Sequence, residues 1–185
     1  MGLDMNIWKI TRTDLDESVV YTRSELTDCI VVDEREINDP MYQQLIPYTQ
    51  KVMVKNLYYD MDKIRKDYKI SSDSYIGMIC DTGISVTDRE TRKSVDIPQK
   101  KLEKKYIAEK VETCFICKAD EVKYWRKEYD IQDWFHEHID VDVENTGYYI
   151  LSEELLLKFN KAFDEDRLIP IEPDEESALF YWEWY

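Results

Sequence analysis

Five aromatic residues in six positions close this sequence, Phe180-Tyr181-Trp182-Glu183-Trp184-Tyr185. So much apolar surface in one short run must be buried in part, and whatever stays outside invites contact. The run ends a third of the chain with a composition of its own. Residues 120–185 hold 19 Asp and Glu against 6 Lys and Arg, whereas residues 1–119 hold 21 against 19. Nearly all of the net charge of −15 therefore sits in one aromatic-rich third. Acid mixed with large aromatics suits a binding surface better than a catalytic cleft.

The 185 residues suffice for a single domain, 1–185, with a sizeable core. Its first part, 1–119, reads as strand-rich, and its second, 120–185, as helical, acidic and aromatic. Only 4 Gly and 5 Pro exclude a collagenous or linker-rich chain. A charge of −15 repels DNA, RNA and anionic lipid, so no direct nucleic-acid contact is expected. The one basic stretch, residues 89–110, reads as a solvated hairpin and helix surface, with no Gly-rich loop or base-stacking pattern. No apolar run approaches the 18 or so residues of a membrane span. The start, Met1 to Asn6, lacks a basic-then-apolar leader, and a myristoylation signal beginning at Gly2 would want Ser or Thr where Asn6 stands. A cytoplasmic protein is expected, and composition leaves its oligomeric state open.

Cys114-Phe115-Ile116-Cys117 is a lone C-x-x-C, with Cys29 and Cys80 isolated from it. Zinc needs a second pair or a His pair at knuckle spacing, so the two read as small buried residues on a strand. No metal and no cofactor are expected.

Alternation predicts strands over residues 3–10, 29–32, 51–59, 75–80, 84–86, around Val95 and Ile97, over 106–119 in one or two pieces, and over 148–151. Helical spacing predicts helices over 40–48, over 61–68 with Asp60 as N-cap, as one turn over 100–105, over 120–139, and from Ser152 to about Phe163. Asp81-Thr82-Gly83 and Asn145-Thr146-Gly147 read as turns, residues 170–176 as an acidic loop, and residues 178–185 fit helix or strand. Without a regular βαβ repeat this order implies an α+β fold, a mainly antiparallel sheet with the carboxy-terminal helices packed on it.

No motif fixes a reaction. Asp81-Thr82-Gly83 looks like an aspartic-protease triplet, but that chemistry needs two carboxylates, and a hairpin turn accounts for one triplet. His136-Glu137-His138 holds both histidines, yet positions i and i+2 point about 200° apart on a helix and cannot chelate together. They read as solvated imidazoles at a helix end, with a single His as general base the alternative. Asp140-Val141-Asp142-Val143-Glu144 begins like a calcium loop but has Asn145 and Leu151 where Gly and Glu are required. No catalytic residue is assigned. The binding candidates are Trp125, Arg126, Trp134, Trp182, Trp184 and Tyr185, the residue types that anchor interfaces.

Four segments, Met1-Gly2-Leu3-Asp4-Met5, Tyr124-Trp125-Arg126-Lys127, Trp134-Phe135 and Leu151-Ser152-Glu153-Glu154, together resemble a group of uncharacterised phage and prophage proteins. The resemblance covers the first residues and about 121–185. This chain has Glu128-Tyr129 where the group often carries Ala-Asn, and Gln132 where it often carries His, so no role is taken over for that His. The resemblance implies a phage or mobile-element origin and action in a bacterial cytoplasm. The expectation is a non-enzymatic interaction module that binds a protein partner through an acidic aromatic carboxy-terminal surface, with electrostatics speeding encounter with a basic one. One alternative is an acidic DNA mimic that inhibits a host nuclease or defence system. Another is an enzyme or small-ligand protein with its site near residues 120–139.

Overall fold

The computed structural model describes residues 3–79, 83–171 and 176–185. The chain is α+β. Its strands are β1 (Asp4–Arg12), β2 (Val20–Thr22), β3 (Cys29–Asp33), β4 (Gln50–Tyr59), β5 (Ser74–Ile79), β6 (Gly83–Asp88), β7 (Ser94–Pro98), β8 (Ile107–Arg126), β9 (Tyr148–Ile150) and β10 (Ser177–Trp184). Its helices are α1 (Met61–Tyr68), α2 (Gln99–Lys105), α3 (Tyr129–His138) and α4 (Glu153–Ala162). Two compact units emerge, one of Met1–Val54 with Glu112–Tyr185, the other of Lys55–Val111. The change of composition at residue 120 falls inside β8, not between the units.

In the larger unit the sheet runs β2-β4-β8-β1-β10-β9, with β3 paired to β8 off that path. The ladders of β1 with β8 and with β10, of β10 with β9 and of β3 with β8 are antiparallel. One core joins Met5 and Ile7 of β1, Trp125 of β8 and Tyr181 of β10 to Ile131 and Phe135 of α3 and Leu156 and Phe159 of α4. Each such side chain contributes about 1.5–3 kcal/mol by leaving water. Ser152 starts α4 by accepting the Leu155 N–H at 3.2 Å, an N-cap as its sequence position suggests. A second core, on Ile10, Leu45, Cys117 and Phe180, is bordered by Tyr42 and Tyr48. These tyrosines come from two 3₁₀ turns, Pro40–Tyr42 and Ile46–Tyr48, in place of the helix expected over 40–48. Pro47 lacks the N–H an α-helix needs there.

The helix expected over 120–139 is a strand followed by a shorter helix. Residues 117–126, Val122 excepted, pair with β1. Ile7 opposes Lys123 while Trp8 opposes Glu121, so Val122 is an extra residue at a bulge. The bulge lets Val122 and Trp125, three apart, pack on one core. That imitates helical spacing, since three residues apart on a regular strand lie on opposite faces. Lys127 then takes a left-handed φ of 61° and gives its N–H to the Leu3 carbonyl at 2.9 Å, which ends the strand before α3. The terminal run, open between helix and strand, is β10.

The smaller unit is the antiparallel meander β5-β6-β7 with α1 and α2. Its core is Ile64, Ile84, Val86, Ile97, Leu102 and Tyr106. Asp60 caps α1 by accepting from the Lys63 N–H at 3.0 Å. Gly83 has φ 145°, and a Cβ there would sit 2.0 Å from the Ile97 carbonyl oxygen, so a side chain is excluded. Gly2, Cys80, the Asp81-Thr82 part of the expected turn and residues 172–175 of the acidic loop lie outside the described residues.

Candidate functional site

Side chains alternate across a strand, and directly opposed residues of antiparallel neighbours share a face. With β1 between β8 and β10, the register writes two rows on one face of the sheet. Arg126, Asp4 and Trp184 form the outer row, and Tyr124, Asn6 and Trp182 the next. Past the bulge follow Glu121, Trp8 and Phe180. The rows are tied together by polar contacts. Tyr124 donates its hydroxyl to Asp4 Oδ1 at 2.6 Å, and Arg126 Nε lies 3.6 Å from the same oxygen. The bond to Asp4 raises the Tyr124 pKa above the ordinary phenol value. Asn6, only 4% exposed, donates to Glu121 Oε2 at 2.6 Å. Around these fixed groups Trp184 and Tyr124 stay 49% and 46% exposed.

Beside the rows is a recess of about 470 Å³, with Trp8, Tyr148, Asp28, Cys29, Asp120 and Glu121 in its lining. Tyr148 is also the cross-strand partner of Trp182. Lys118 pairs with Asp120 at 3.0 Å. The Cys29 thiol is pushed up by burial and then by the Asp28 carboxylate, with Lys118 opposing. Burial likewise pushes up the Tyr148 phenol.

The opposite face is a core with one polar intrusion. Glu183 is fully buried. It accepts from Tyr181 Oη at 2.6 Å and from Gln132 Nε2 at 3.1 Å, and shares a hydrogen bond with His136 Nε2 at 2.9 Å. Burial, then the bond to Glu183, drives the Tyr181 phenol far above its ordinary range. His136 is thus bound to a buried carboxylate rather than merely solvated. His138 stacks on Trp134 at 4.1 Å between centroids and bonds the Trp134 carbonyl through Nδ1.

The six binding candidates divide accordingly. Arg126 and Trp184 are exposed at one end of the face that carries the rows, with Trp182 half-buried beside them. Trp125 is buried among the α3 and α4 side chains, and its Nε1 is the one buried side-chain N or O among the described residues without a hydrogen-bond partner. Trp134 is half-buried, edge-on to Phe135 and Phe159. Tyr185 lies beyond β10, 52% exposed, its backbone held by Asn145 through bonds of 3.1 and 3.2 Å. Sequence reasoning missed Asp4, Asn6, Trp8, Glu121, Tyr148 and Glu183. The polar Asp4 and Asn6 alternating with Met5 and Ile7 was the available signal.

Cys114 and Cys117 are buried, three apart on β8 in separate cores. Among the described residues no group of three His, Cys, Asp or Glu side chains is placed to hold a metal ion, and no helix is long and apolar enough to cross a membrane. Fold and face together define an α+β protein whose central sheet presents paired rows of aromatic and ionic side chains. No protein-family model, curated protein or solved structure matches the chain.

Proposed function

We propose that this chain is a non-enzymatic interaction module of phage or mobile-element origin, acting in a bacterial cytoplasm. It engages a basic protein partner through the β8-β1-β10 face, with the carboxy-terminal helices α3 and α4 packed behind that face as its support. The observation that carries this reading is the pair of rows, Arg126-Asp4-Trp184 and Tyr124-Asn6-Trp182. Trp, Tyr and Arg dominate interface hot spots, and here Trp184, Tyr124 and Arg126 stand exposed on a strand framework, with Trp182 half-buried among them. The net charge of −15 steers a basic partner and raises its encounter rate. The resemblance to phage and prophage proteins supports the origin.

The test is capture from bacterial lysate by the full chain and by Arg126→Ala/Trp184→Ala, across a salt series. Both side chains are exposed, so the variant keeps its fold. The expected result is a basic protein held by the wild type, weakened at least 30-fold by the double substitution, as loss of one hot spot of about 2 kcal/mol requires, and released by salt. Equal capture by both chains, or none, overturns the reading.

One observation favours a second reading, an enzyme or small-ligand protein near residues 120–139. His136 is oriented by a buried carboxylate, the arrangement of a general base. Turnover of any substrate that His136→Ala abolishes, with partner capture intact, would establish it.

A further inference from the structure

The acidic recess beside β1 has no role in the rows themselves. We propose that it seats a lysine or arginine side chain of the basic partner and so sets the specificity of the face, an inference that rests on the interaction reading above.

Three features of the recess converge on an extended organic cation. At about 470 Å³ it lies within the roughly 300–1,000 Å³ typical of ligand sites, room for a long side chain and its flanking backbone. Trp8 and Tyr148 supply aromatic walls, and ring faces attract ammonium and guanidinium groups. Asp28 and Glu121 supply carboxylates, while Asp120, paired with Lys118 and opposite Lys9 on β1, has its charge met from its own neighbours. The Glu121 bond to Asn6 comes from a neutral amide and cancels no charge. Among the described residues no three carboxylates are placed to hold one metal ion.

The recess is also continuous with the exposed rows. Glu121 bonds Asn6, which stands between Tyr124 and Trp182, and Tyr148 pairs with Trp182. A partner lying on Trp182 and Trp184 is therefore placed to send one basic side chain past Tyr148. The aromatics of the rows supply affinity there, and the recess rejects a partner without a cation, because an empty acidic pocket covered by a protein surface leaves carboxylates desolvated and unpaired.

The probes are tetralysine, tetra-arginine and ε-acetylated tetralysine peptides, added to the full chain. The readouts are the indole N–H resonances of Trp8 and Trp184 and the rate of Cys29 alkylation, followed by peptide mapping. The expected result is a shifted Trp8 resonance and Cys29 alkylation slowed at least five-fold by tetralysine or tetra-arginine, with no effect from the acetylated peptide. Asp28→Asn/Glu121→Gln, which retains an acceptor for Asn6, should weaken the effect at least ten-fold with the Trp184 resonance of the free protein unchanged. Peptides that shift Trp184 but leave Trp8 and Cys29 untouched overturn the recess while leaving the face reading intact. So does binding that the double substitution does not weaken. Magnesium ions that reproduce the Trp8 shift with the same sensitivity to the double substitution show a general cation sink and also overturn it. No response to any peptide overturns the recess, and lysate capture with Arg126→Ala/Trp184→Ala then decides the wider reading by itself.

Discussion

Tyr181→Phe removes one oxygen from the middle of the molecule, and its cost follows from the geometry. Tyr181 and Glu183 are both fully buried, and the hydroxyl donates to Glu183 Oε2 at 2.6 Å. Phenylalanine keeps the ring stacked on Phe135, whose centroid lies 4.1 Å away, so no cavity opens. What is lost is the shortest hydrogen bond to the carboxylate, leaving that oxygen the weaker Gln132 contact at 3.1 Å. A buried hydrogen bond to a carboxylate is worth about 1.5–3 kcal/mol. At roughly 2–4 °C per kcal/mol for a chain of this size, the melting point falls by about 3–12 °C. The five tryptophans all lie in the larger unit, so urea unfolding followed by tryptophan fluorescence reports that unit alone. Glu183→Gln, which keeps an acceptor for Tyr181, should cost less than Glu183→Ala. A Tyr181→Phe loss below about 0.5 kcal/mol, within the range of a surface substitution, would refute the idea that this network is a sealed, interdependent unit.

Three further outcomes follow from other buried groups. Cys117 is buried, its pKa pushed up to about 12 by that burial, so iodoacetamide at pH 8 should leave Cys117 and the buried Cys114 unmodified until urea unfolds the chain, while Cys29 reacts slowly in the native state; mass mapping that finds Cys117 modified first would contradict the burial. The Asp88 carboxyl is held far below its ordinary range by the Thr91 and Ser71 backbone N–H groups, so its contribution is full above the unfolded value of about 4 and fades as pH falls toward the lower folded value; the protection factors of the Ser71 and Thr91 amides, corrected for intrinsic exchange, should fall below about pH 4, and an identical acid profile in Asp88→Asn would rule this out. Phe159 is fully buried against Trp125, Trp134, Phe135 and Phe163, so Phe159→Ala should cost about 3–5 kcal/mol in urea unfolding, and a loss under 1 kcal/mol would mean that this aromatic cluster is not a packed core.

Local chemistry made much of the fold legible. Asp60 and Ser152 each precede an apolar helical pattern, and both cap a helix. Alternation marked β1, β3, β4, β6 and β9 within a residue or two. Failures came where two periods coexist. Val122 and Trp125 pack on one core through a bulge, and neither their spacing nor their composition separates that from a helical turn. Nor did Lys127 signal a break, because its left-handed conformation is imposed by pairing to Leu3, over a hundred residues away. In the 40–48 segment the helical spacing of Met41, Leu45 and Tyr48 competes with Pro47, whose missing N–H decides the outcome.

The site was legible in its parts list and not in its assembly. Trp125 and Arg126 are adjacent on β8, so one strand puts the first in the core and the second in water. Their partners in each row come from β1 and β10, at sequence distances no local pattern spans. The tail itself inverts the usual arrangement. A strand built for stability alone turns its tryptophans inward and its carboxylates outward, yet β10 buries Glu183 completely and leaves Trp184 half exposed. Slipping the strand by one residue would exchange the two faces and remove the anomaly. The register that exists is held by Gln132 and His136 of α3, which bond Glu183 from outside the strand while Tyr181 of β10 completes the carboxylate's shell, so the buried carboxylate works as a latch that keeps Trp182 and Trp184 on the outer face. Departures from local preference collect where function opposes stability, and here the departure and the aromatic row occupy the same five residues. That coincidence ties the stability of the Glu183 network to the presentation of the face. Tyr181→Phe should therefore weaken partner capture even though Tyr181 never reaches the surface, and unchanged capture by a measurably destabilised variant would separate the two.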